Sequence, residues 1–302
     1  AFDKYAAGQG FVVKGDNYKQ VLGDWRRYNV ELLIEQINVK IKSIKPWVRF
    51  GISPFGIHRN KKDTPDGSGS DTNGLSNYDE LFADVPGWAA KGIIDYYVPQ
   101  LYWEIGHKRA DYTTLIKWWN QDWKRGHLYI GQSVGSFSKP DLDNPQITQT
   151  EAKMRLVREL ENVTGNVWWP AWSLVRNSAN MQTQLRDVYQ KYPSLVPAYT
   201  WLDNVAPKGV THLKKHGNVI VWEQNSAEAA NPMQKALFYA VYCFPKGVKA
   251  DISNSEYLVK LTNKNSFDVQ KENKNHKSGC KYVVTVIDRC WNESNVSKVI
   301  SF

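Results

Sequence analysis

A strand–loop–helix pattern that repeats four times in the first 203 residues limits the folds open to this chain. Strands joined in this way by helices lie parallel in one sheet, because each helix carries the chain back to the same end. The apolar runs are continuous, as expected for strands covered on both faces. The predicted strands cover 47–55, 93–103, 127–135 and 166–172, and the predicted helices cover 17–45, 78–91, 111–123, 148–162 and 178–190.

Four such units are half of an eight-stranded (β/α)8 barrel, which needs roughly 250 residues. The segment 196–202 adds only a short apolar return. The α/β fold of this region is therefore either an open sheet or half of a TIM-like barrel.

The pattern changes after Asp203, where helical spacing gives way to short alternating segments separated by turn-rich stretches. Such alternation is typical of a β-sandwich. We therefore predict two domains, residues 1–203 and residues 204–302. The segments that carry the second prediction are NVIVWEQ (218–224), ALFYAVYCF (236–244), EYLVKL (256–261) and CKYVVTVIDRC (280–290).

Charge and cysteine content narrow the classes of function. The formal net charge is +9, but the basic residues are scattered, which indicates a solvated surface rather than nucleic-acid binding. No apolar run approaches the roughly 18 residues of a membrane span. Cys243, Cys280 and Cys290 lack the spacing of a zinc site. One disulfide among them is possible and would favour an exported protein.

The chain has 13 tryptophans, which is the strongest signal in its composition. Sugar rings have apolar faces that stack on aromatic planes, so proteins that handle glycans accumulate such residues. Tryptophan also buries a large area, and we expect most of these side chains to be core residues.

Several long motifs follow one another along the first 132 residues: DWRRYNV (24–30), IKPWVRFGISPFGIHRN (44–60), SDTNG (70–74), YDELFADVPGWAAKGIIDYYVPQLYWE (78–104), ADYTTLIKWW (110–119) and LYIGQ (128–132). Together they resemble the glycosyl-hydrolase-like family ten, a bacterial barrel family that is frequent in gut Bacteroidetes. The family's barrel begins with four strands that precede this sequence, so we expect the chain to be a fragment or to be completed by another polypeptide.

The tail contains NVAPKGVTHLKKHGNVIVWE (204–223) and YVVTVIDRCWNES (282–294) and resembles a fibronectin type III domain, which often follows that barrel. In a fibronectin-like arrangement the strands that carry Cys243 and Cys280 would be antiparallel neighbours. A disulfide between the two is then geometrically allowed and would leave Cys290 free.

The resemblance implies a glycoside hydrolase that acts on a bacterial cell-wall glycan, such as peptidoglycan, or on another complex glycan. It implies an oligosaccharide or polysaccharide partner, no cofactor, and a periplasmic or cell-surface location. A non-catalytic surface glycan-binding protein or an envelope interaction protein is the alternative. No glycine-rich phosphate loop, Ser-His-Asp set or HExxH motif supports another enzyme class.

Glu104 is the candidate catalytic residue, because it follows the second strand at the edge where barrel active sites lie. Alternation places it on one face with Val98, Gln100 and Tyr102, and a glutamine is tolerated better toward the barrel mouth than toward packed helices. Hydrolysis needs two carboxyl groups, so the second is expected in the absent half. The other interpretation of Glu104 is an ion pair at the rim, with His107, Lys108 or Arg109 as the partner.

The candidate substrate-binding residues follow the same strand ends. Gly51 and Ser53 share a face with small side chains, which leaves room inside the barrel. Trp172 is expected on one strand face with Trp168 as a stacking platform for sugar. His58, Arg59 and Asn60 either bind sugar hydroxyls and carboxylates or order the long loop after them, and the remaining candidates are Gln100, Tyr102 and Gln132. Asp63, Asp66 and Asp71 do not match a calcium loop, so we expect no metal.

Overall fold

A computed structural model describes residues 1–121, 123, 125–137, 139, 148–225 and 231–302. The chain divides into two compact units, residues 1–189 and residues 190–302. The expected domain boundary between residues 203 and 204 falls inside the second unit, and the domain assignment itself stays a prediction. None of the described helices is both long and apolar enough to cross a membrane.

The first unit alternates short strands with helices. Its helices are α1 (Phe2–Tyr5), α2 (Tyr18–Ile44), α3 (Val85–Lys91), α4 (Tyr112–Trp119), α5 (Val134–Phe137), α6 (Gln149–Glu159), α7 (Ala171–Val175) and α8 (Met181–Gln184), with 3-10 turns at Ala7–Gln9, Lys61–Asp63 and Ser178–Asn180 and a π-helical turn at Leu185–Tyr189. Its strands are β1 (Gly51–Ile52), β2 (Tyr96–Tyr97), β3 (Gln100–Leu101), β4 (His127–Ser133) and β5 (Val163–Trp169).

All strand pairs of this unit are parallel, so the unit is an α/β fold with a parallel sheet. β2 and β3 pair with successive parts of β4, since Tyr96 lies opposite His127 and Gln100 lies opposite Gly131. The single strand predicted over 93–103 is therefore two short strands, and Pro99 between them lacks a backbone donor. The sheet has four strand positions, which follow the order of the chain: β1, then β2 and β3 together in one position, then β4, then β5.

The helix predicted over 78–91 begins only at Val85. Phe82 has a positive φ of 55°, which a regular helix excludes. Asp84 then caps α3, because its carboxylate accepts a hydrogen bond from the Gly87 backbone N–H at 3.2 Å, and Pro86 lies in the first turn.

The core of the unit lies between one side of the sheet and the helices. Leu101, Leu128 and Ile130 pack there against buried residues of α4. On α4, the Trp119 indole Nε1 donates to the Gly56 carbonyl at 2.7 Å, which satisfies this polar atom inside the core.

The other side of the sheet faces away from this buried core. Strand register places Tyr96, Gln100, Tyr129, Val167 and Trp169 on this side, which we name the open face. The rings of Tyr96 and Tyr129 are in edge contact, with centroids 5.9 Å apart. Val167 and Trp169 are 47 % and 60 % exposed, so the open face is aromatic and accessible at its β5 side.

The second unit is antiparallel and contains α9 (Val269–Glu272) and a 3-10 turn at Ser255–Tyr257. Its strands are β6 (Thr211–His216), β7 (Val219–Glu223), β8 (Ala236–Phe244), β9 (Leu258–Thr262), β10 (Ser266–Asp268), β11 (Lys281–Asp288) and β12 (Ile300–Ser301). One sheet has the order β10-β7-β6 and the other has the order β12-β11-β8-β9. A buried cluster that includes Ile220, Trp222, Val241, Phe267 and Val284 contains residues from both sheets.

The cysteines lie in this second unit. Cys243 is in β8 and Cys280 immediately precedes β11, the antiparallel neighbour of β8, as in the arrangement that the fibronectin resemblance implies. All three cysteines are buried, and none of them forms a disulfide.

Candidate functional site

The carboxyl ends of the parallel strands define one edge of the first sheet, which we name the C-terminal edge. β3 ends at Leu101, β4 at Ser133 and β5 at Trp169. Because the strands are parallel, the residues that follow these positions emerge on the same side of the molecule. Glu104 and Trp172 are among them.

Glu104 is held by its backbone, and its carboxylate lies at the surface. Its carbonyl oxygen accepts hydrogen bonds from the backbone N–H groups of His107 and Tyr112, both at 3.3 Å. Its carboxylate forms a close ion pair with the Lys139 ammonium, and the Glu104 side chain is 32 % exposed. This geometry fits a carboxylate that meets substrate, and it equally fits a rim ion pair. The partner in that pair is Lys139 and not one of the expected residues, His107, Lys108 or Arg109.

A buried lysine lies behind Glu104. Lys153 of α6 has no exposed surface, and its ammonium donates to the Trp103 carbonyl at 2.7 Å and to Ser136 Oγ at 2.9 Å. The ammonium also lies 4.4 Å from the ring centroid of Tyr112 and 4.8 Å from that of Phe137. Burial lowers the pKa of Lys153 to about 7, although the nearby Glu104 carboxylate favours the charged form. Lys153 therefore fixes the strand end that precedes Glu104.

Lys153 is not among the functional residues predicted from the sequence. The helical spacing marks Met154 and Val157 as inward-facing, and both are buried. Lys153 lies one turn before Val157 on the same side of α6, so the helical spacing also predicts that Lys153 faces inward.

We expect Lys153→Met to remove part of the pH dependence of stability. In the unfolded chain Lys153 keeps its proton up to its ordinary pKa of 10.5, whereas the folded protein releases it at about 7. Between these values the unfolded state binds more protons, so the free energy of unfolding rises with pH by at most about 1.4 kcal/mol per pH unit. Denaturant unfolding of the wild-type and Lys153→Met proteins at pH 7 and at pH 9.5 measures this rise in the free energy of unfolding. An equal rise in the two proteins would contradict the prediction.

Gln100 begins β3, and Tyr102 follows the end of β3 on the segment that leads to Glu104. The Gln100 amide lies on the open face and donates to the Ser53 carbonyl at 3.2 Å and to Ser53 Oγ at 3.3 Å. Burial raises the pKa of Tyr102, so its hydroxyl stays protonated and remains a donor. The room expected beside Gly51 is filled, because a Cβ there would lie 2.5 Å from the Tyr96 ring.

Gln132 lies on the helix-facing side of the sheet and is fully buried. Its Nε2 donates to the Tyr112 hydroxyl and to Asn166 Oδ1, both at 2.8 Å. Its Oε1 has no hydrogen-bond partner among the described residues. Gln132 thus lies behind the C-terminal edge, and direct contact with substrate stays a prediction.

His58 is buried among aromatic rings of α4. It stacks on Trp118 with ring centroids 5.3 Å apart and makes an edge contact with Trp119. Burial, together with the charge of Arg59, lowers the pKa of His58 to about 3, so the imidazole is neutral at physiological pH. Its nearest carboxylate, Asp84, is 3.9 Å away. These contacts favour an ordering role in the loop.

Arg59 and Asn60 bind the long loop that follows β1. The Arg59 guanidinium holds both carboxylate oxygens of Asp79, at 2.8 and 2.9 Å. Asn60 donates to Asp63 Oδ2 and to the Gly74 carbonyl, both at 2.9 Å. The loop-ordering interpretation accounts for these contacts, and sugar binding by either residue stays a prediction.

The same loop contains the aspartates considered for a metal. Asp63 accepts the Asn60 hydrogen bond, and Asp66 accepts one from the Ser68 backbone N–H at 3.0 Å. Across the part of the chain that the structure describes, no group of three or more His, Cys, Asp or Glu side chains is arranged to hold a metal ion.

The tryptophans after β5 divide between core and surface. Trp168 faces the helices and packs against Phe137, with ring centroids 4.9 Å apart. Trp172, expected on the strand face with Trp168, lies instead on α7 and is 56 % exposed, with the Arg176 guanidinium 5.0 Å from its ring. Trp169 ends β5 on the open face and was not singled out, although alternation with Trp168 indicates its direction.

Comparison with known proteins supports the motif-based resemblance. Residues 1–149 match the model of the family described as Glycosyl hydrolase-like 10. The chain is 37 % identical over 291 residues to glycosyl hydrolase YngK of Bacillus subtilis strain 168, an alignment that covers 92 % of this chain and 54 % of that protein. It is 40 % identical over 152 residues to glycosyl hydrolase DigH of Escherichia coli K12, covering 48 % of this chain and 34 % of DigH.

Among solved structures, the Spr0440 glycoside hydrolase domain of Endo-D from Streptococcus pneumoniae R6 matches with a TM-score of 0.23 and 13 % identity, covering 33 % of this chain and 16 % of that one. This similarity is too low to relate the two folds.

The chain spans about half the length of YngK and about a third of DigH. The fibronectin type III resemblance of the tail stays a prediction. In its first 149 residues the chain matches the Glycosyl hydrolase-like 10 family, and over most of its length it is similar to a bacterial glycosyl hydrolase.

Proposed function

We propose that this chain is part of a glycoside hydrolase that cleaves a bacterial cell-wall glycan or another complex glycan in the periplasm or at the cell surface. The observation that carries the proposal is Glu104, a partly exposed carboxylate just after β3 at the C-terminal edge. Active sites of β/α barrels lie at this edge. The match to a glycosyl hydrolase-like family over residues 1–149 supports the same class of chemistry.

Glu104 supplies one of the two carboxyl groups that glycoside hydrolysis requires. In this proposal the Glu104 carboxylate, which lies beside the Lys139 ammonium, attacks the sugar or activates water. The second carboxyl group, which protonates the leaving oxygen, belongs to residues outside this chain. Lys153 maintains the position of Glu104 through the Trp103 carbonyl.

We further propose that the sheet is half of a (β/α)8 barrel. Its four strand positions are parallel and follow the order of the chain, as in a barrel. A doubly wound sheet would instead reverse its strand order at one point. The missing N-terminal half would pair with β1 and β5 and cover the open face. The second unit would be a fibronectin type III-like sandwich, a proposal supported by its antiparallel sheets of three and four strands.

The substrate would lie along the open face toward Glu104. Gln100 and Tyr102 offer an amide and a hydroxyl to sugar hydroxyl groups, and Trp169 and Trp172 offer exposed rings. Sites of this kind combine apolar surface with a few polar groups that fix orientation. In this proposal His58, Arg59, Asn60 and Gln132 support the site from behind.

Trp169→Ala and Trp172→Ala are each expected to weaken glycan binding about tenfold. Burying an aromatic side chain is worth about 1.5–3 kcal/mol, and about 1.4 kcal/mol corresponds to a factor of ten in affinity. Calorimetric titration with oligosaccharides measures the loss. Val175→Ala is the matched control, because Val175 is an exposed apolar residue of the same helix as Trp172. An equal loss in the control, or none in either tryptophan variant, would contradict the assignment.

The alternative is a non-catalytic glycan-binding protein of the cell surface or envelope. The observation that favours it is the ion pair that already engages the Glu104 carboxylate with Lys139. In that case the aromatic residues bind glycan and Glu104 only stabilises the rim.

A further inference from the structure

The second unit contains a cavity of about 500 Å³ that the proposed hydrolytic site does not use. Its volume is within the range of roughly 300–1,000 Å³ that is typical of small-molecule sites. Buried Cys243 of β8 and Cys280, which precedes β11, are among its lining residues, as is Val259 of β9. The rim comes from the segment around Lys191 and from the chain just before Cys280.

The rim of this cavity is basic. Lys191, Lys246 and Lys277 line it, and none of the three forms an ion pair among the described residues. The aliphatic part of Lys246 packs against Gly279, where a Cβ would lie 3.2 Å from the Lys246 Cδ, so the direction of that side chain is constrained. Three cationic side chains around one cavity attract an anionic ligand.

The carboxylate that lines the cavity is already engaged. Glu256 accepts a hydrogen bond from the Tyr192 hydroxyl at 3.1 Å. The lysine charges therefore exceed the acidic charge by two, since Glu256 offsets one of three.

Aromatic and neutral polar groups complete the lining. Tyr192 is 40 % exposed, and Tyr257 lies beside it in the cavity wall. Asn275 and Ser278 add amide and hydroxyl groups that can bind sugar hydroxyls. Rings for stacking, neutral hydrogen-bonding groups and excess positive charge together match a sugar that carries a carboxylate.

We propose that this cavity is a second glycan-binding site, specific for carboxylate-bearing sugars. The choice of a sugar rests on the proposed glycan-directed function, whereas the requirement for negative charge rests on Lys191, Lys246 and Lys277. Such a site would hold an acidic glycan on the second unit independently of cleavage at Glu104.

The test compares two disaccharides that differ in one carboxylate. N-acetylglucosaminyl-N-acetylmuramic acid carries a lactyl carboxylate that N,N′-diacetylchitobiose lacks. Calorimetry on the 302-residue chain is expected to give at least about tenfold tighter binding of the acidic disaccharide, with a preference that falls as salt screens the lysines. Digalacturonic acid tests whether a uronic carboxylate is recognised as well, and its binding would also support the proposal.

The double variant Lys246→Ala/Lys277→Ala is expected to lose that preference. Lys264→Ala/Lys298→Ala is the matched control, because these exposed lysines of the same unit do not line the cavity. Circular dichroism verifies that both variants fold. Equal binding of the two disaccharides, or equal loss in both variants, would overturn the proposal. Binding is measured without cleavage, so an inactive complete protein that keeps this preference would contradict only the proposed hydrolase.

Discussion

Replacing Glu104 by glutamine in the complete protein should lower the rate of glycan hydrolysis by at least ~10²-fold, the low end for loss of a general acid or base. Glutamine keeps the shape of glutamate and part of its hydrogen bonding, but it neither exchanges a proton nor attacks as a carboxylate. Binding of the glycan should survive, because the exposed rings of Trp169 and Trp172 are untouched. Release of reducing sugar ends measures the rate.

Glu161→Gln is the matched control for this substitution. Glu161 is an exposed carboxylate that precedes β5, at the opposite end of the strands from Glu104. Its substitution should leave the rate unchanged. An unchanged rate for Glu104→Gln itself would assign Glu104 to the rim ion pair with Lys139 and favour the binding-protein alternative.

The 302-residue chain alone should hydrolyse glycans at least ~10²-fold more slowly than the complete gene product that contains it. Hydrolysis needs two carboxyl groups, and the proposal places only Glu104 in this chain. The open face would also remain exposed to water, which weakens the electrostatic interactions of a site. Both proteins should be assayed on the same purified glycans at equal molar concentration.

Full activity of the short chain would contradict this expectation. It would mean that a second carboxylate, such as Asp63 or Asp66, acts from within these residues. Circular dichroism of the short chain is the control, because a chain that fails to fold would be inactive for another reason.

Much of the first unit follows from sequence pattern because its signals are local. The spacing of apolar residues predicts a helix over 17–45, and α2 spans Tyr18–Ile44. Alternation separates Gln100, on the open face, from Leu101, which is buried in the core. These features depend on neighbouring residues, so a single sequence is sufficient.

Contacts between distant residues were harder to predict. Arg59 is engaged by Asp79, and Asn60 by Gly74, both well along the chain. A polar residue after a strand looks the same in sequence whether it binds a ligand or its own loop.

The alternation of side chains along β4 predicts the direction of Gln132 better than its position near the strand end does. Leu128 and Ile130 are apolar and buried, and Gln132 follows Ile130 by two residues on the same face of the strand. This alternation indicates the helix-facing side, where the amide meets Tyr112. Position at a strand end suggested the mouth instead, because it does not distinguish the two faces.

The most direct test of the proposed function is product analysis after incubation of the complete protein with purified peptidoglycan glycan strands and a panel of neutral and acidic oligosaccharides. Mass spectrometry should detect pairs of shorter fragments whose masses sum to that of the glycan plus one water, with one new reducing end for each bond cleaved, from at least one of these glycans, and far fewer with the Glu104→Gln variant. Glycans that stay intact while calorimetry still measures their binding would contradict the hydrolase assignment and identify a glycan-binding protein.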